Sequence, residues 1–229
     1  GDGRTGTYVE AIKEACTLIT DRPVFAGVIG PFSLTGRLIG VSDAMIWCYD
    51  DPDMVHTVLK KATAFLIEYI KAYKAVGANG FVMAEPLAGL LPPAMNAEFS
   101  LPYVKEIIEA TEDDSFLAAY HNCGDAVPRQ LDDLAELKIS IYHIGNATPM
   151  KTALEHLPSE CVVMGNVDPA AQFCNGTPES IRTVTRALLE ECSGYPNYVI
   201  SSGCDIPPAS SWDNIDAFFD EVQKFYQGK

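Results

Sequence analysis

The feature that most constrains this chain is its rhythm, in which short apolar runs alternate with longer amphipathic ones. The runs at residues 23–29, 80–84, 115–120, 139–144, 161–164 and 198–202 are apolar nearly throughout rather than at every second position. That is the pattern of strands covered on both faces. The clearest helix spans residues 52–76, where Val55, Val58, Leu59, Ala62, Phe65, Leu66, Tyr69, Ile70, Tyr73 and Val76 recur in steps of three and one. Asp51 is placed to cap it, Pro52 to start it and Gly77 to end it. Thr177-Pro178-Glu179 opens a second helix in the same way, running to about Cys192 before Gly194. Further helices are predicted at 8–19, 96–111, 127–137 and 214–226. Repeated strand-then-helix order predicts a parallel sheet with right-handed crossovers.

An open doubly wound sheet and a (β/α)8 barrel both satisfy that order. Gly145-Asn146-Ala147-Thr148-Pro149 and Gly165-Asn166-Val167-Asp168-Pro169 each follow an apolar strand, an internal echo that favours repeated barrel units. Six strands are counted where a closed barrel has eight. The expectation is one α/β domain over residues 1–229, a (β/α)8 TIM-type barrel lacking its N-terminal strands, whose exposed strand edges something must cover. The absence of an initiator Met is compatible with that.

The 229 residues are 48% apolar and 21% charged, enough for a sizeable core and against wholesale disorder. Sixteen Lys and Arg against 31 Asp and Glu give a formal charge of -15, which repels phosphate backbones and anionic headgroups. Nucleic acid and membrane are therefore not expected partners. No apolar run approaches the ~20 residues that span a bilayer, and Gly1-Asp2-Gly3-Arg4 leads into no signal core. Seven scattered cysteines favour free thiols over a disulfide framework. A cytoplasmic protein is expected.

Parallel α/β folds gather their chemistry where strands end. Here those edges read Gly30-Pro31-Phe32, Glu85-Pro86, His121-Asn122-Cys123-Gly124-Asp125, His143-Ile144-Gly145-Asn146, Gly165-Asn166-Val167-Asp168 and Ser202-Gly203-Cys204-Asp205. His121 and Cys123, two apart on an extended segment, point the same way. With Cys204 from another edge they offer one imidazole and two thiolates, three of the four positions of a catalytic zinc. A satisfied loop histidine and two small buried cysteines fit the same pattern. The deaminase spacing H-x-E with P-C-x-x-C is absent.

Glu85, at the same edge, is the candidate catalytic group, as a fourth ligand or as acceptor of a substrate proton; a capping carboxylate is the alternative. Asp125 is placed to orient the imidazole. Asn146, Asn166, Asp168 and His143 are the candidate substrate-binding residues, the Asn and Asp also suiting turns. His56 and His156 are expected to face solvent, and Cys16, Cys48, Cys161, Cys174 and Cys192 to be apolar filler.

His121-Asn122-Cys123-Gly124, Gly165-Asn166-Val167-Asp168-Pro169, Gly176-Thr177-Pro178-Glu179 and Ser202-Gly203-Cys204-Asp205-Ile206-Pro207 together resemble the uroporphyrinogen decarboxylase superfamily. More narrowly they are similar to its zinc-dependent branch of methylcobamide:coenzyme M methyltransferases. The likeness extends over essentially the whole chain, Gly27–Phe32 included, and matches about the C-terminal two-thirds of such a protein. It implies Zn2+ on His121, Cys123 and Cys204, a methylcobalamin-type corrinoid carried by a partner protein, and a small thiol acceptor such as coenzyme M. Gly30-Pro31-Phe32 would be placed to admit the corrinoid ring. The resemblance leaves two alternatives, porphyrinogen decarboxylation and a non-catalytic corrinoid-protein-binding module. The decarboxylase would need a cationic pocket for several carboxylates, and no Lys or Arg falls in the six strand-end motifs.

Overall fold

The computed structural model describes residues 3–228; Gly1, Asp2 and Lys229 of the expected domain lie outside the described residues. The elements in chain order are α1 (Thr5–Leu18), β1 (Phe25–Ile29), α2 (Pro31–Ile39), α3 (Val41–Asp50), α4 (Pro52–Ala75), β2 (Gly80–Ala84), α5 (Pro93–Phe99), α6 (Leu101–Thr111), β3 (Leu117–Asn122), α7 (Leu131–Ala135), β4 (Ile141–Ile144), α8 (Met150–His156), β5 (Val162–Val167), α9 (Pro178–Cys192), β6 (Tyr198–Ser202) and α10 (Trp212–Gln227). All six strands are parallel and lie side by side in sequence order. That is the order of a barrel wall. A doubly wound sheet reverses its order at a switch point. Among the described residues β1 and β6 remain as two open edges.

The apolar runs become strands whose helix-facing side is covered, whereas the opposite side, where Gly27 is exposed and Val82, Ala84 and His143 are half-buried, is not covered as the apolar pattern predicts. Ala26, Phe81, Met83, Ala118, Tyr120, Tyr142 and Val163 join one core with Leu66, Ile70 and Tyr73 of α4 and Val104 and Ile107 of α6. Strand β3 runs on through His121 and Asn122, beyond the expected end at 120. It does so because Ala84, His121 and His143 stay in register across β2, β3 and β4. His121 is therefore fixed by a ladder rather than carried on a loop.

Two predicted helices are broken. Residues 96–111 divide at Ser100 into α5 and α6, since Pro102 offers no N–H and its ring clashes with a continuing helix. Residues 127–137 form a short 3-10 turn at Val127–Arg129 and then α7, separated at the buried Gln130, whose amide donates to the Ala88 and Leu91 carbonyls at 3.0 and 2.8 Å. Helices α2, α3 and α8 have no counterpart among the expected segments. α2 and α3 are held by a second core in which Phe32 and Cys48 meet Val55, Leu59, Phe99 and Tyr103. Gly40 joins them at φ +95°, a conformation that suits glycine.

His56 faces this second core instead of solvent. It stacks on Phe99 at 4.7 Å, and its Nδ1 lies 2.7 Å from the Tyr103 hydroxyl. His156 is exposed and pairs with Asp132. Cys48, Cys161 and Cys192 are buried as filler, whereas Cys16 and Cys174 are half-buried. No helix among the described residues is long and apolar enough to cross a membrane.

The expected start of α9 is realised as a reciprocal cap. Thr177 Oγ1 accepts from the Ser180 N–H at 3.1 Å, and Ser180 Oγ accepts from the Thr177 N–H at 2.9 Å. Replacing Thr177 with Ala leaves the Ser180 N–H without that partner. The variant is expected to lose about 1 kcal/mol of stability, read as a lower urea midpoint at unchanged slope.

Candidate functional site

The carboxyl ends of β3 and β6 bring together three side chains 83 positions apart in sequence at their widest. His121 Nε2 lies 3.4 Å from Cys204 Sγ, which lies 3.8 Å from Cys123 Sγ. All three ligand atoms lie within 4.8 Å of one another. The sulfurs are far beyond the about 2.05 Å of a disulfide, so both cysteines are thiols. Tetrahedral zinc with Zn–S of about 2.3 Å and Zn–N of about 2.0 Å holds its ligands about 3.5–3.8 Å apart. Two of the three separations already have that spacing, and the donor set of two sulfurs and one nitrogen suits zinc. The residues fit the metal.

The surroundings set the protonation and orientation of these three side chains. His121 Nδ1 sits 3.1 Å from the His143 carbonyl, which can only accept, so Nδ1 carries the proton and the Nε2 lone pair faces Cys204. Burial, and then the neighbouring His143 ring, pushes the imidazole down to about 4, which keeps it neutral at physiological pH. Burial and the nearby Cys204 push the Cys123 thiol up to about 11. The His143 ring lies tilted against His121 at 4.5 Å between ring centroids, and its Nε2 donates to the Ser202 carbonyl at 2.7 Å. It thereby ties the end of β4 to the segment that carries Cys204. The orienting role expected of Asp125 falls to the His143 carbonyl, and Asp125 is exposed.

A cavity of about 540 Å³ opens at this group. Gly27, Ile29, Val82 and Ala84 form apolar wall, His143 lines it beside the three ligands, and Arg37 and Asp205 are its charged side chains. Neither charge was among the sequence candidates. Arg37 belongs to α2, which the apolar periodicity did not reveal, whereas the position of Asp205 directly after Cys204 was an available signal.

Glu85 does not join the group. It is fully buried, and its carboxylate accepts from the backbone N–H groups of Ser33 and Phe32 at 2.7 and 3.0 Å. The free N–H groups and positive end of the first turn of α2 hold it there. The expected ligand role is thus replaced by that of a helix cap. A side chain at Gly30 would run into this carboxylate, so the close approach needs glycine. Phe32 is buried in the second core and does not face the cavity, so it is not placed to meet a corrinoid ring.

The other substrate-binding candidates are engaged in turns. Asn146 donates to Asp168 at 3.0 Å, Asn166 donates to the Gly145 and Thr148 carbonyls, and Asp168 caps the Ala170 and Ala171 N–H groups. They line a separate depression.

Burial pushes Glu85 up to about 7, while its bonds to Ser33 and Phe32 hold it down. A carboxyl raised in the folded state stabilises the fold below its unfolded value near 4.5, and that contribution is lost as pH rises through about 7. Glu85→Gln is expected to flatten this part of the stability–pH curve. Glu85→Ala, which orphans two buried N–H groups, is expected to cost about 3 kcal/mol while leaving bound zinc unchanged. Loss of zinc in a folded Glu85→Ala variant would return Glu85 to the metal.

Comparison with known proteins gives this geometry a context. The model of the family described as uroporphyrinogen decarboxylase (URO-D) matches residues 1–225. A methylcobamide:CoM methyltransferase MtbA of Methanosarcina mazei is 27% identical over 212 residues, covering 89% of this chain and 59% of the relative. A uroporphyrinogen decarboxylase of Danio rerio is 28% identical over 186 residues, 79% of this chain and 50% of the relative. The chain thus spans about half to three-fifths of the length of these relatives. Among solved structures, a methyltransferase from Methanosarcina mazei superposes with a TM-score of 0.88 at 24% identity, covering 98% of this chain and 65% of the other. A B12-independent methionine synthase from Shewanella reaches 0.70 at 17% identity, which speaks for the fold alone.

Proposed function

The chain belongs to the uroporphyrinogen decarboxylase (URO-D) family, and we propose that it works in methyl transfer from a methylated corrinoid on a partner protein to a small thiol, coenzyme M being one such acceptor. The observation that carries this reading is the pair of thiols and one neutral imidazole converging within 4.8 Å at the mouth of an apolar cavity. His121, Cys123 and Cys204 would hold zinc, which turns an incoming thiol into a thiolate at neutral pH. In the net reaction a sulfur lone pair forms the S–CH3 bond, the C–Co bonding pair stays on cobalt, and the thiol proton leaves to solvent.

The chain's own part is to hold and to exclude. The His143 carbonyl fixes the tautomer that leaves Nε2 free, and the His143 side chain anchors the Cys204 segment. Two cysteines that give up their protons and a neutral imidazole make a ligand set of charge -2, which a dication neutralises. Gly27, Ile29, Val82 and Ala84 of β1 and β2 would set an apolar wall against the methyl group. Methyl transfer to a thiolate needs no general acid, in keeping with the commitment of Glu85 to α2. Among the described residues Arg37 is the cation that lines the cavity, where a polycarboxylate would call for several.

Purified wild-type chain is expected to bind about one zinc and to release about two protons on binding, read from enthalpies in buffers of different ionisation heat. Cys204→Ala is expected to lose the metal while keeping its far-UV circular dichroism. Zinc-loaded chain supplied with methylcobalamin and a thiol should bleach the methyl–cobalt absorbance. Stoichiometric zinc in Cys204→Ala would reject the site, and bleaching that does not depend on the thiol would reject the reaction.

A further inference from the structure

We propose that, within the thiol class, the acceptor this cavity favours is a zwitterion of the amino-acid type rather than an acid thiol such as coenzyme M, with its acid group on Arg37 and its ammonium on Asp205. The inference rests on the thiol reading above and names the substrate class of that site.

The cavity is otherwise apolar, walled by Gly27, Val28, Ile29, Val82, Ala84 and Pro86. Against this wall stand one guanidinium and one carboxylate, both exposed to solvent. Neither forms a side-chain hydrogen bond or ion pair, with the other or with any described residue. Two opposite charges that share a cavity without pairing are available to a ligand that carries both signs. A guanidinium offers a planar fork that matches a carboxylate. Asp205 follows Cys204 directly, so the carboxylate stands at the sulfur end of the cavity, and Arg37 reaches the same cavity from α2.

This arrangement sorts thiols by charge. An acid thiol would satisfy Arg37 but set its charge against Asp205, in a chain whose formal charge is already -15. An aminothiol would satisfy Asp205 and leave its ammonium in the field of Arg37. A zwitterion answers both groups and enters the acidic field without net charge. The volume of about 540 Å³ accommodates a small amino acid above the metal ligands.

The test uses binding, so it stands apart from turnover. Cobalt(II) replaces zinc in the chain, and sulfur-to-cobalt absorption is followed on titration with homocysteine, 3-mercaptopropionate, cysteamine and 2-mercaptoethanol. Homocysteine is expected to bind about tenfold more tightly than any of the other three. Arg37→Ala should weaken homocysteine and mercaptopropionate about tenfold and spare cysteamine. Asp205→Asn should weaken homocysteine and cysteamine and spare mercaptopropionate. Cobalt content and melting temperature are checked for both variants; if Asp205→Asn loses cobalt, the Arg37→Ala series decides alone. Equal affinity for all four thiols, or equal loss of all four in a variant, would overturn the charge assignment and leave methyl transfer standing. Preference for mercaptopropionate over homocysteine would overturn it in favour of a plain acid. Cobalt that binds but answers to no thiol would overturn the thiol reading and this inference with it.

Discussion

The site depends on the parallel register that sets the carboxyl ends of β3, β4 and β6 at one level. His121 is the residue at which β2, β3 and β4 are still paired, opposite Ala84 on one side and His143 on the other. The ladder fixes its backbone, and the His143 carbonyl fixes its ring. Cys123 follows two residues later, and Cys204 two residues past the end of β6. A shift of one residue in β3 would turn His121 to the opposite face and dissolve the group. The continuous apolar strands that set the register are thus also what places the chemistry.

A second constraint acts through a buried carboxyl group. Glu85 leaves the end of β2 and holds the first turn of α2, and α2 carries Arg37 to the cavity near its other end. Its carboxylate acts on the mouth through a helix rather than by contact. Gly30 and Gly36 let α2 lie this close, since a Cβ at the first would meet Glu85 and at the second Leu87. Phe32 anchors the same helix from below.

Much of this was legible in the sequence. The six strands, the long α4 with its Asp51 cap and the meeting of His121, Cys123 and Cys204 at one edge follow from apolar runs, cap chemistry and strand-end positions. What escaped was tertiary in origin. α2 contains Gly36 and two hydroxyl residues, and Pro31 at its first position is the main local mark of a helix; Glu85, 53 positions away, stabilises its first turn. Glu85 itself looks like a reactive carboxylate because a strand-edge position does not disclose which backbone groups will meet it. Asp125 sits beside the ligands in sequence, but a carbonyl from the neighbouring strand is closer in space. Pro102 breaks a pattern whose apolar periodicity continues across it, so residues 96–111 read as one helix and fold as two.

One histidine and two cysteines would hold a metal that takes a thiol as a further ligand. Zinc K-edge X-ray absorption on the loaded chain measures this directly. The account predicts a resting shell with two sulfurs at about 2.3 Å and nitrogen or oxygen at about 2.0 Å, gaining a third sulfur when acceptor thiol is added. A shell of nitrogen and oxygen alone, or a sulfur count that does not rise with thiol, would contradict it.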